Sequence, residues 1–220
     1  MFQIKKQTVR KTLFLVLTLI LLTNCSENST PSGGDSTSDA NIYDNKYFSF
    51  QIKIPDNWFS TDEKTMAEIG EAGKDMLAGD DKNMRAGIEA AQKNVYNLFQ
   101  AFQVAPGTPG DFYNSNISCV AERVSNTPGI KSGADYLLNA KKLLQSGQME
   151  IYFDDEIIKQ TISGRDFYIL SATIPVQGTN VKQKYYTTLE KGFILAFVAS
   201  YVGNEQQEII QNTMSSINFY

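Results

Sequence analysis

The sequence contains no histidine. That absence removes the commonest general base, the Ser-His and Cys-His nucleophile pairs, and the commonest metal ligand. Cysteine is nearly as scarce, with Cys25 and Cys119 the only two in 220 residues. Two thiols build neither a disulfide framework nor a cysteine-rich zinc site. G-x-S-x-G, the P-loop and G-x-G-x-x-G are all missing, and with them the sequence signals of hydrolase and nucleotide chemistry. The N-terminal apolar run, Leu13–Leu22, holds ten residues, one of them Thr18. A membrane-spanning helix needs about 20.

Residues 1–24 contain Lys5, Lys6, Arg10 and Lys11 and no acid. The whole chain carries −4, so the remainder carries −8. An acidic body of this kind favours solubility and suits neither nucleic acid nor an anionic surface as a partner. A basic segment followed by a short apolar run describes an export signal. Leu22-Thr23-Asn24-Cys25 resembles the bacterial lipobox, in which the peptidase cuts before a cysteine that is then acylated. Asn24 stands where Gly, Ala or Ser is usual. The resemblance implies a signal peptide over residues 1–24, lipid attachment at Cys25 and retention in the cell envelope, at the periplasmic face or cell surface. Residues 25–41 are rich in Ser, Thr, Gly and Asp and hold no large apolar side chain. They read as a flexible tether.

The folded body, residues 42–220, opens on "YFSFQIKIP". Phe48, Phe50, Ile52 and Ile54 alternate with polar residues, which predicts a half-buried strand ended by Pro55, with Trp58 packing back onto the sheet. Helices are expected over Thr61–Leu77 and Lys82–Gln92, the first with Met66, Ile69, Gly73, Met76 and Leu77 inward. A third is expected over Ser132–Ser146 and a closing one over Asn204–Ile217. Strands are expected at Val95–Val104, Ser115–Val124, Asp155–Ile162, Phe167–Pro175, Val181–Glu190 and Gly192–Tyr201, with hairpin turns at Gly164–Asp166 and Glu190–Gly192. "FILAFVASYV" is apolar on both faces, so its strand should be central. The pattern is α+β, an antiparallel sheet covered by helices.

"FSFQIKIPDNW" at one end and "GFILAFVASYVGNEQQEIIQNTMSSINFY" at the other together resemble the PsbP/Mog1-like superfamily. The resemblance rests on the strand entering Pro55–Trp58 and on the closing strand, helix and Ser216–Phe219. "SNISCVAERV" and "YYTTLEKGFILAF" add to it between those ends. It covers about Tyr47–Tyr220. The helical stretch Ser60–Gln92 is longer than in compact members. The resemblance implies an α/β/α sandwich and a theme of protein binding without catalysis, and it brings no catalytic residues.

Cys119 alternates onto an apolar face with Ile117 and Ala121 and reads as a buried structural thiol. Asp80–Ala90 superficially resembles a calcium loop, but Arg85 and Ala86 occupy positions that need a ligand oxygen and the glycine, so Asp80 or Asp81 reads as a helix cap. Asp154–Glu156 reads as a solvated turn. The expected interaction surface is Pro106, Phe112 and Tyr113 in the loop 105–113, with Tyr185 and Tyr186, one of which should be exposed because neighbours on a strand face opposite sides. The expectation is a non-catalytic, membrane-anchored envelope module without a cofactor. Its partners would be an envelope protein, or a second copy of the chain, and the bilayer through Cys25. A carrier of a small apolar ligand and a carboxylate-based hydrolase are the alternatives.

Overall fold

The computed structural model describes residues 31, 34–37, 41–110 and 112–220. The expectations for residues 1–24 and for Cys25 therefore lie outside the described residues.

The dominant element is a large antiparallel sheet. Its strands are β4 (Phe59–Ser60), β5 (Val95–Phe102), β6 (Asn116–Arg123), β7 (Tyr152–Phe153), β8 (Ile158–Ile162), β9 (Arg165–Val176), β10 (Thr179–Glu190) and β11 (Phe193–Tyr201). The order across it is β4-β5-β6-β11-β10-β9, with β7 and β8 sharing the outer edge of β9. All nine residues of β11 are buried, as its two-faced apolarity predicts. Phe193, Leu195 and Phe197 enter one core, and Ile194, Ala196 and Val198 enter the other.

A second, smaller sheet covers the first core. It consists of β1 (Gly34–Thr37), β2 (Ile42–Asn45), β3 (Phe50–Lys53) and β12 (Asn218–Phe219), in the order β1-β2-β3-β12. Phe48, Phe50, Ile52 and Ile54 are buried on one side as the alternation requires, with Trp58 packed against the same core. The tether expectation for residues 25–41 did not foresee β1, which pairs with β2 from Gly34↔Asn45 to Thr37↔Ile42.

Four helices complete the fold: α1 (Glu63–Ala78), α2 (Lys82–Gln92), α3 (Gly133–Ser146) and α4 (Asn204–Ser215). Each of the first three starts on a side-chain cap, from Asp62 to the Thr65 N–H at 2.7 Å, from Asp81 to the Asn83 and Met84 N–H groups, and from Ser132 to the Asp135 N–H. These bonds satisfy donors that a helix start leaves orphaned. Ile210 and Met214 of α4 join the first core beside the small sheet, while Leu77, Ile88 and Leu137 of the other helices join the second. The stripe expected on α1 is displaced. Its buried residues are Met66, Gly70, Gly73, Lys74, Leu77 and Ala78, with Ile69 only half-buried. Lys74 is tolerated there because its ammonium lies 2.7 Å from Glu71 and 3.4 Å from Glu89 of α2.

The two expected hairpins turn at Ser163-Gly164 and Lys191-Gly192, with φ of 47° and 72°, and 51° and 80°. Positive φ at both central residues is the type I′ geometry that matches the strand twist, and glycine supplies the second position without strain. Gln177-Gly178 makes a third such turn between β9 and β10.

Candidate functional site

Tyr185 and Tyr186 do not form the expected surface. They face opposite sides of the sheet, but both sides are covered, and their exposures are 8% and 4%. Neither offers a surface. Tyr186 belongs to the core under the small sheet and Tyr185 to the core under α1–α3.

The loop between β5 and β6 divides its aromatics. Phe112 is 41% exposed, and its ring lies so close to Gly110 that a Cβ there would come within 2.1 Å. Tyr113 is half-buried, and its hydroxyl is hydrogen-bonded to Ser200 and Asn116, with burial pushing its pKa up. Pro106 is half-buried. Tyr113 is thus a tie between loop and sheet, and Phe112 alone of these three presents a wide apolar face.

The tie leads to a polar row across the sheet. Asn116, Ser200 and Gln183 are cross-strand neighbours on β6, β11 and β10. Gln183 Nε2 donates to Ser200 Oγ at 2.6 Å, and the Tyr185 hydroxyl donates to Gln183 Oε1. In the next row Gln100 of β5 lies opposite Ser118 of β6. The Gln100 side chain, in a residue 1% exposed, has no hydrogen-bond partner on either amide atom among the described residues, and the Ser118 hydroxyl has none either. Such groups are costly to bury.

A cleft of about 330 Å³ opens beside them. It exists because β4 pairs only with Ala101 and Phe102, which leaves the rest of that edge of β5 without a strand partner among the described residues. A bulge between Asn97 and Phe99, in the ladder to β6 on the other edge of β5, buries Leu98 and Phe99 consecutively in one core. The apolar wall is Tyr43, Ile54, Leu98 and Phe99, and the polar wall is Asn97, Gln100 and the α1 start at Asp62-Glu63. Asn97 Oδ1 is buried without a partner among the described residues. Asp62 is held below the usual carboxylate range by the hydrogen bonds that Thr65 donates to it. It is therefore an ionised cap. Sequence reasoning missed this site. Its one legible signal is "NLFQAF", where two adjacent bulky residues and a glutamine break strand alternation.

The carboxyl that burial raises lies elsewhere. Glu122 on β6 accepts a 2.7 Å hydrogen bond from Tyr136 of α3. Burial raises its pKa and outweighs that bond. An acid raised in the folded state contributes stability that is complete below its unfolded pKa and is lost as pH rises through the folded value. Glu122→Gln should therefore be more resistant to urea than the parent at pH 8, with the gap closing below pH 4. A variant less stable at both pH values would show that the charge is compensated. Among the described residues no three Cys, Asp or Glu side chains converge as a metal site would require.

Comparison with known proteins supports the fold. No family model matches the sequence, and no curated protein matches it. Solved structures do. The cyanobacterial PsbP protein CyanoP from Synechocystis sp. PCC 6803 aligns over 90% of this chain and 98% of its own, at 11% identity and a TM-score of 0.50. LpqN of Mycobacterium tuberculosis, described as involved in cell envelope biogenesis, aligns over 77% of this chain and 82% of its own, at 14% identity and a TM-score of 0.44. A Bacteroides thetaiotaomicron protein aligns over 78% of this chain and 45% of its own, at 9% identity and a TM-score of 0.43. The chain has a PsbP-like α+β fold.

Proposed function

We propose that this chain is a lipid-anchored module of the bacterial cell envelope that binds a protein partner at the edge of β5 and catalyses no reaction. The observation that carries the reading is the cleft itself. One of its walls is a strand edge that β4 pairs only at Ala101 and Phe102, and that beyond the Thr61 N–H bond to the Gln100 carbonyl has no strand beside it among the described residues. An open edge offers backbone groups to an extended segment, and the adjacent apolar wall offers side-chain pockets. Asp62 and Glu63 at its rim favour a segment bearing a Lys or Arg. The anchor reading is supported by the basic start, the ten-residue apolar run and Cys25 directly after it.

A photo-crosslinking amino acid at Ser60 or at Glu63 is expected to give the same discrete adduct with an envelope protein in intact cells. The same group at Lys142, exposed on α3, should give none. Adducts absent from both rim positions in a folded chain would overturn the reading. The cleft volume also falls at the lower bound for small-molecule pockets, about 300 Å³, which favours the ligand carrier as the second reading. Mass spectrometry of the purified protein under native conditions tests it, since a carrier should release a bound compound of fixed mass.

A further inference from the structure

Pro31 and the first residue of β1 lie at one particular end of the sandwich. The Asn45 side chain donates to the Pro31 carbonyl at 2.8 Å, and Gly34 pairs with Asn45. The same end carries the β2–β3 turn, the β10–β11 turn at Lys191, the close of β6 at Arg123 and the entry to β5 at Lys93, where Arg123 N donates to Asn94 O at 2.8 Å.

This end is basic although the body is acidic. Lys46, Lys93, Arg123 and Lys191 are all exposed there. Lys46 is paired with Asp44, and Arg165 with Glu190 at 2.6 Å. Lys93, Arg123 and Lys191 have no acidic partner within ion-pair distance among the described residues. The anions nearby are Asp44, Glu190, the half-buried Glu122, and Asp166, which pairs with Lys159 at 2.8 Å. Tyrosines interleave with the cations. The Lys191 ammonium sits over the Tyr47 ring and donates to the Tyr47 carbonyl, and Lys46 sits over the exposed Tyr220 ring. Cations among tyrosines are the composition of a protein surface at lipid headgroups.

We propose that this end of the domain rests against an anionic phospholipid surface, with Lys93, Arg123 and Lys191 facing the headgroup phosphates. The inference rests on the anchor at Cys25. Six residue steps separate Cys25 from Pro31, a reach of roughly 20 Å even when fully extended. The ladder from Asn180 to Glu190 of β10 spans about 33 Å at strand rise. A tether shorter than the domain keeps the Pro31 end close to the bilayer. The charge distribution then selects that end over the acidic remainder.

The test uses the full acylated chain, purified from membranes and reconstituted with phosphatidylcholine–phosphatidylglycerol vesicles bearing an acceptor dye on a minority of headgroups. Donors are attached at Ser125→Cys, beside Gly192, or at Asn180→Cys, at the opposite end of β10. Cys119 is fully buried and Cys25 is acylated, so the introduced thiol is the one that reacts. The Ser125 donor should lie about 30 Å nearer the headgroups, with transfer at least about twofold stronger than from Asn180. High salt, and Lys93→Glu with Lys191→Glu in a chain shown to be folded, should abolish the difference. A chain that fails to float with vesicles overturns the anchor and this inference with it. A chain that floats with equal transfer from both ends overturns this inference alone. An asymmetry that survives both high salt and charge reversal overturns its electrostatic basis. An asymmetry that arises only after envelope protein is added assigns the face to a protein and overturns the lipid.

Discussion

Phe197→Ala is expected to lower the unfolding free energy by about 3–5 kcal/mol, the range for removing a buried aromatic ring. Phe197 has no exposed surface and stands on β11, the strand with both faces covered. Its ring lies 5.7 Å from Phe50, 6.0 Å from Phe167 and 6.3 Å from Phe99. Those neighbours come from the small sheet, from β9 and from the bulge of β5, so the ring joins three elements that are distant in sequence. The cavity left by alanine cannot collapse, because β6 and β10 fix the backbone of β11 on both sides. For a domain of this size the melting temperature should fall by roughly 6–20 °C. Leu138→Ala, at a side chain 50% exposed on α3, should stay within about 0.5 kcal/mol of the parent. Equal losses for the two variants, measured by urea unfolding, would show that the core is not organised around β11.

Cys25→Ala is expected to abolish incorporation of a fatty-acid analogue and to shift the protein from the membrane to the soluble fraction. The physical reason is the steepness of acyl anchoring. Each buried methylene contributes about 0.8 kcal/mol, and stable attachment takes more than one chain. A lipobox-type cysteine carries acyl groups on both its thiol and its amine, so one substitution removes them together. What remains is an apolar run of ten residues, about half of a spanning helix, and a few cations on an acidic body. Undiminished membrane retention after an alkaline wash would sink the anchor. Retained labelling would move the acylated residue elsewhere. Asn24→Ala, which restores the usual lipobox residue, should leave labelling equal or stronger.

The fold was legible where side chains alternate or repeat. The large sheet and the helices follow the pattern closely, and α2 runs over Lys82–Gln92 as its composition predicts. Cys119 proved fully buried beside Ile117 and Ala121, as its alternation implied. The small sheet was less visible, because three of its strands lack a pattern of their own. Gly34–Thr37 is held by backbone pairing, which polar side chains do not advertise, and Asn218–Phe219 is too short to show a period. The cleft was hidden for a related reason. It is defined by the strand that β5 lacks along most of one edge, and a missing neighbour leaves no mark on a sequence. Tyr185 and Tyr186 failed as surface candidates because alternation says which face a residue takes but not whether that face is covered.

The pairing of Phe50 with Phe219 has a consequence for the order in which the chain can form. The meander from β8 to β11 uses tight turns and pairs residues close in sequence, so it can assemble rapidly from local encounters. The small sheet has to close a loop of more than 160 residues between β3 and β12, at a loop-closure cost that grows only slowly with length. A chain made from its N-terminus must hold Phe48, Phe50 and Ile52 without their final cover until the last residues arrive. Its earliest strands are therefore the latest to be buried, and for that interval they are its most aggregation-prone segment.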